Sequence, residues 1–244
     1  MTNTHQLQEE VLMSIKRQDA GKGLDDMFGY NASDVENEQC IETNGVHDFD
    51  ELLNSFDGYV NLGSSAYRGC NVYHTLAPDK INSFLKLTSR YDYLKNYSFR
   101  TGEFVSSLIQ TSYLAGHTNF HLDLGGLKEI KYLGSRIYAV SNRQINLYVK
   151  GNVGSGFCSF SSNINPVIKG DIGTNSIYGS HNLTLVMKGE VGRGTGANSN
   201  QLRAFLDGKR YWFLNNYDQL YFGKFAREHS KFKKMMKEWE EKFK

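Results

Sequence analysis

Residues 145–163 (INLYVKGNVGSGFCSFSSN), 164–182 (INPVIKGDIGTNSIYGSHN) and 183–201 (LTLVMKGEVGRGTGANSNQ) are near-copies of one phrase, and a fourth copy opens at Leu202. The starts at Ile145, Ile164, Leu183 and Leu202 are spaced by 19 residues. A fixed period near 20 is the signature of a solenoid, in which each unit packs only on its neighbours. The first, third and fifth positions read Ile145, Leu147, Val149; Ile164, Pro166, Ile168; Leu183, Leu185, Met187; and Leu202, Ala204, Leu206. Polar or smaller residues alternate with them, so each unit opens with a half-buried strand.

The seventh position is always glycine: Gly151, Gly170, Gly189 and Gly208. A bare α-carbon is wanted where a coil bends or presses on its neighbour. Val153, Ile172 and Val191 follow as further inward positions, and Ser161, Ser180 and Ser199 recur near the end of each unit. Nineteen residues are too few for a strand, a helix and two loops. The expected fold is therefore mainly β with flanking α, a short right-handed parallel β-helix of 19-residue coils capped by helices. Pro166 conflicts with a central strand, because it removes a ladder donor.

Upstream, FHLDLGG (120–126) matches the opening alternation. It predicts an irregular first coil from Phe120 to Gln144, with Gly126 at the seventh position. After Gly208 the stretch KRYWFLNN loses the pattern and reads as a capping coil. The expected organisation is a helical and irregular region over 1–118, a solenoid over 119–214 and a C-terminal amphipathic helix over 215–244. Within the first region, Leu7, Val11 and Ile15 suggest a short helix; Ile81, Phe84 and Leu85 mark a second. Phe104, Val105, Leu108, Ile109 and Ser112 mark a third. Phe225, Phe232 and Trp239, spaced by seven, form a stripe suited to docking on the chain itself or to a protein partner or second copy.

Composition bounds the function. Among 244 residues, 39% are hydrophobic and 22% charged, as in a globular protein. No basic start leading into an apolar run and no membrane-length apolar stretch is visible, and Cys40, Cys70 and Cys158 are far apart and odd in number. The expectation is a cytoplasmic protein with reduced thiols and no membrane association. Charge is segregated. Ten acids and no Lys or Arg lie between Asp25 and Tyr67, whereas eight Lys/Arg against four Glu lie over 224–244. The two regions suit each other as intramolecular or intermolecular partners.

The K-G-x-V/I-G units resemble the Gly-rich β-helix repeat domain of the glutamate synthase large chain, and similar repeats that form one of the subunits of formylmethanofuran dehydrogenase. They also resemble solenoid-repeat proteins of archaeal genomes. The resemblance spans about 120–208 and implies scaffolding, with no functional residue carried over. It admits a structural subunit of a larger redox or amidotransferase-type enzyme complex.

Chemistry-bearing groups are few. His117, His121 and Asp123 lack a third metal ligand at a suggestive spacing. Cys70 and His74 could pair as thiolate and base but lack an orienting acid. No catalytic, metal or cofactor residue is assigned, and a nucleic-acid partner is not expected. The strongest hint is Lys150, Lys169 and Lys188, which a solenoid would stack in an outward row able to take an anionic ligand or polymer. The leading expectation is a non-enzymatic scaffold or protein-interaction module.

Overall fold

A computed structural model describes residues 48–62, 72, 74–208 and 217–243. It begins with helices α1 (Asp48–Val60), α2 (Pro78–Leu87) and α3 (Tyr97–Leu114). Six strands follow: β1 (Asn119–Asp123), β2 (Ile145–Lys150), β3 (Ile164–Lys169), β4 (His181–Lys188), β5 (Asn200–Leu206) and β6 (Tyr217–Phe222). Helices α4 (Gly223–Glu228) and α5 (Ser230–Lys242) end the described chain. The strands form one parallel sheet in sequence order. The result is a β-solenoid of about four turns with flanking helices.

The repeat sets the register. Ile145 pairs with Ile164, Val149 with Ile168 and Lys150 with Lys169, while Leu183 pairs with Leu202 and Leu185 with Ala204. The inward positions form a dry column in which Ile145, Leu147, Val149, Ile164, Ile168, Leu185 and Leu206 have no accessible surface. Each such aliphatic side chain contributes roughly 1.5–3 kcal/mol. The glycines stack in file: a Cβ on Gly170 would strike the Gly151 carbonyl, one on Gly189 that of Gly170, and one on Gly208 that of Gly189. Close approach of successive backbones is therefore what requires glycine at the corner.

A second corner works differently. In the turn after Val153, every second residue is left-handed: Gly156, Cys158 and Phe160 at φ 73°, 50° and 55°, and one coil later Asn175, Ile177 and Gly179 at 53°, 58° and 63°. Their N–H groups still bond neighbouring coils, Gly156 to Thr174 O at 2.9 Å, Cys158 to Leu133 O at 3.0 Å and Ile177 to Phe157 O at 2.6 Å. The chain curls without surrendering its buried ladder. The recurring serines then bridge coils. Ser180 Oγ donates to Cys158 O (2.7 Å) and accepts from Ser161 N (3.2 Å), and Ser199 Oγ accepts from Ser180 N (2.8 Å).

Pro166 sits buried in β3, opposite Leu147. N–H groups alternate sides along a strand, and Gly170 N donates to Lys188 O. Position 166 would therefore donate toward β4. The β3–β4 ladder accordingly begins beyond it, at Val167 and Val186.

The first coil departs from expectation by two residues. Phe120 pairs with Leu147 and Leu122 with Val149, a span of 27 residues rather than 25 to the equivalent position. Leu124, not Gly126, underlies Gly151, whose added Cβ would lie 3.2 Å from Leu124 Cβ. The FHLDLGG match keeps the inward alternation but is displaced by one inward position. A period-two pattern tolerates such a slip, because every inward residue stays inward.

This coil has no predecessor, and helices satisfy its backbone. On α3, Ser106 Oγ accepts from Gly134 N (2.8 Å), Gln110 Oε1 accepts from Tyr138 N (2.8 Å), and the Tyr113 hydroxyl accepts from Val140 N (2.9 Å) while donating to Arg143 O (2.9 Å). On α2, Asn82 Oδ1 accepts from Asp123 N (2.8 Å) and Lys86 Nζ donates to Gly125 O (2.6 Å). The two helices cover the coil that would otherwise present unpaired groups. Their apolar faces match expectation, with Ile81, Phe84, Leu85, Phe104, Val105, Leu108, Ile109 and Ser112 buried. Phe56 of α1 joins them, its ring 5.7 Å from Phe84 and 5.2 Å from Phe104.

The expected helix over 215–244 does not start until Gly223. Residues 217–222 form β6, paired with β5 through a register shift at Leu202/Arg203. Aromatic residues on a YDQLYF segment favour strand, and the seven-residue stripe that suggests one long helix belongs to two short ones. Leu7, Val11, Ile15, Cys40, Cys70, KRYWFLNN after Gly208, and most of the acidic stretch lie outside the described residues.

Gly189→Ala is expected to destabilise the protein by about 2–4 kcal/mol, since the clash is with backbone. Gly58→Ala, on α1 with nothing within 4 Å of the added Cβ, is expected to stabilise by about 0.5–1 kcal/mol. Denaturant midpoints of the two variants against the parent measure the difference.

Candidate functional site

The outer face of the sheet carries three columns of side chains. One reads Asn119, Asn146 and Asn165, continuing with Thr184 and Arg203; the middle one reads His121, Tyr148 and Val167, then Val186, Phe205 and Tyr221; the third reads Asp123, Lys150, Lys169 and Lys188. The asparagines form a ladder, Asn146 Nδ2 donating to Asn119 Oδ1 at 2.9 Å and Asn165 Nδ2 to Asn146 Oδ1 at 3.1 Å.

Helix α5 lies across the middle column. Its Phe232, Met235, Met236 and Trp239 join Tyr148, Val167, Val186 and Phe205 in a second apolar core, separate from the column inside the coils. The Trp239 indole N–H donates to Val149 O at 2.9 Å, and the Tyr148 hydroxyl donates to Glu238 Oε2 at 2.9 Å. Burial, reinforced by the Glu238 carboxylate, pushes the Tyr148 hydroxyl well above the ordinary tyrosine range. His229 caps the helix, its Nδ1 accepting from Lys231 N at 3.2 Å, and its ring lies 4.6 Å from that of Phe205. Phe232 and Trp239 are thus spent on the chain's own sheet, whereas Phe225 on α4 is 76% exposed.

The lysine row is present as the repeat implies, and its members differ in surroundings. Lys150 lies 3.4 Å from Asp123, which Lys86 also approaches at 3.4 Å. Partial burial opposes ionisation of Asp123, but the Gly125 N–H and the two lysines outweigh it and hold the carboxyl below its usual range. Lys169 Nζ sits 5.0 Å from the centre of the Trp239 ring and Lys188 Nζ 6.0 Å from that of Phe232. Neither ammonium is ion-paired among the described residues. The carboxylate of Asp171 accepts instead from Glu190 N at 2.7 Å. Like charges one strand apart are thus separated partly by aromatic faces, a cover that the repeat could not announce because it comes from a helix more than 40 residues further along the chain. Across the helix, Lys231 Nζ donates to Thr184 Oγ1 at 3.2 Å; burial and then the neighbouring Arg203 hold this amine below the ordinary lysine range.

The other candidates are not assembled into a reactive group. His117 is exposed beyond the end of α3, whereas His121 stacks on Tyr148 (5.1 Å) beneath the end of α5. Burial, with Lys242 nearby, keeps the His121 imidazole below its usual range. His74 uses its carbonyl to accept from Thr111 Oγ1 (2.9 Å), and its expected partner Cys70 is outside the described residues. Cys158 is fully buried, which pushes its thiol well up and away from thiolate chemistry. Among the described residues no group of three His, Cys, Asp or Glu could hold a metal ion, and no helix is long and apolar enough to cross a membrane.

What the structure defines is a class, a short parallel β-solenoid with helical caps. Comparison with protein-family models, curated proteins and solved structures finds no match to the chain.

Trp239→Ala is expected to cost about 3–5 kcal/mol, through the cavity it leaves between α5 and the sheet. Trp239→Phe, which removes mainly the bond to Val149 O, is expected to cost about 1 kcal/mol more than packing alone. Urea unfolding followed by circular dichroism checks both.

Proposed function

We propose that this chain is a non-enzymatic scaffold or protein-interaction module, in which a rigid coil holds rows of side chains in fixed register for a partner. The observation supporting this most directly is the in-register stacking of Lys150, Lys169 and Lys188, which sets like groups about 4.8 Å apart. A contact with a second copy or another protein through the C-terminal segment would use Phe225, the exposed member of its aromatic stripe, because Phe232 and Trp239 are already buried. If self-association runs through this point, Phe225→Glu converts a multimeric mass to that of one chain in light scattering. A single-chain mass for the parent at tens of micromolar removes the self-association clause.

A second reading, an anionic ligand or polymer on the lysine row, is favoured by the absence of carboxylate partners for Lys169 and Lys188 among the described residues. Immobilised heparin serves as the probe. Retention is expected to weaken steeply with salt and to be largely lost when Lys150, Lys169 and Lys188 are all replaced by Gln. Unchanged retention in that variant would exclude the row as the contact.

A further inference from the structure

We propose that helix α5 is an acid-released latch, held on the sheet by the unprotonated imidazole of His121 beneath its end. At the start of the helix, His229 Nδ1 accepts from Lys231 N at 3.2 Å, and its ring packs against those of Phe205 and Tyr221 at 4.6 and 4.8 Å.

At the other end, His121 lies between the Tyr148 ring at 5.1 Å and the edge of Phe243 at 6.3 Å. Its Nε2 is buried and has no hydrogen-bond partner. Adding a proton there creates a buried donor with nothing to receive it. The titratable groups around it offer no compensation. Lys242 on α5 repels the cation, Tyr148 already donates to Glu238, and Asp123, two residues along β1, is held by Lys86 and Lys150.

The direction of the pH effect follows. His121 in the folded chain binds its proton less readily than an exposed histidine. Docking is therefore fully stabilised above the ordinary histidine value of about 6.5 and weakens as pH falls below it. Release would uncover two apolar faces together, Tyr148, Val167, Val186 and Phe205 on the sheet and Phe232, Met235, Met236 and Trp239 on the helix. The solenoid's inner column contains no histidine and keeps its packing.

Amide hydrogen exchange of the full-length chain at pH 7.5 and 5.5, corrected for the intrinsic pH dependence of exchange, tests this. Protection of peptides within 231–243 is expected to fall at the lower pH, by up to about tenfold, while peptides within 183–187 hold theirs. The fall should vanish in His121→Phe, which keeps a ring against Tyr148. Equal protection of 231–243 at both pH values in the parent overturns the proposal. So does an undiminished fall in His121→Phe, or a matching fall over 183–187.

Discussion

Successive coils are held by main-chain hydrogen bonds around nearly their whole circumference, and this ladder dictates the rest. It runs through the strands, through the bridges Val153–Ile172–Val191 and through the left-handed turn. A coil bonded to its neighbour on every side cannot change length without breaking the match. Equal spacing in the sequence is the imprint of that constraint, and the stacked glycines, the bridging serines and the inward aliphatics are each its local solution.

Ends expose what the ladder demands. Interior coils find donors and acceptors in each other, but the segment 124–143 has a neighbour on one side only. Ser106, Gln110 and Tyr113 on α3, with Asn82 and Lys86 on α2, supply the missing partners. Those helices are therefore part of the solenoid in the sense that matters physically. Without them, buried amides would stand unpaired, at roughly 1–3 kcal/mol each.

What can be read from the letters follows from periodicity. The coil, its inward set, the glycine corner and the lysine row all repeat, so a single chain provides its own comparison. Features that occur once are harder. The first coil slips by one inward position because alternation alone does not distinguish Leu124 from Gly126. Strand β6 reads as helix because Phe225, Phe232 and Trp239 extend a stripe backward past Gly223. Ser106, Gln110 and Tyr113 on α3 acquire a purpose only with their backbone partners in view. The aromatic cover over Lys169 and Lys188 depends on where α5 lands, which composition does not encode.

Helix α5 lies across the strands rather than along them. It starts against Phe205 on β5, passes Lys188 and Lys169, and ends with Phe243 on His121 of β1. Thirteen residues at about 1.5 Å each make a rod of about 20 Å, and four gaps between five strands amount to about 19 Å. The helix is a ruler cut to the stack. Repeat arrays grow and shrink readily by whole units, yet here one unit more or fewer between β1 and β5 would leave a row uncovered or a turn of helix hanging past the edge, so the rod and the span beneath it are matched in length.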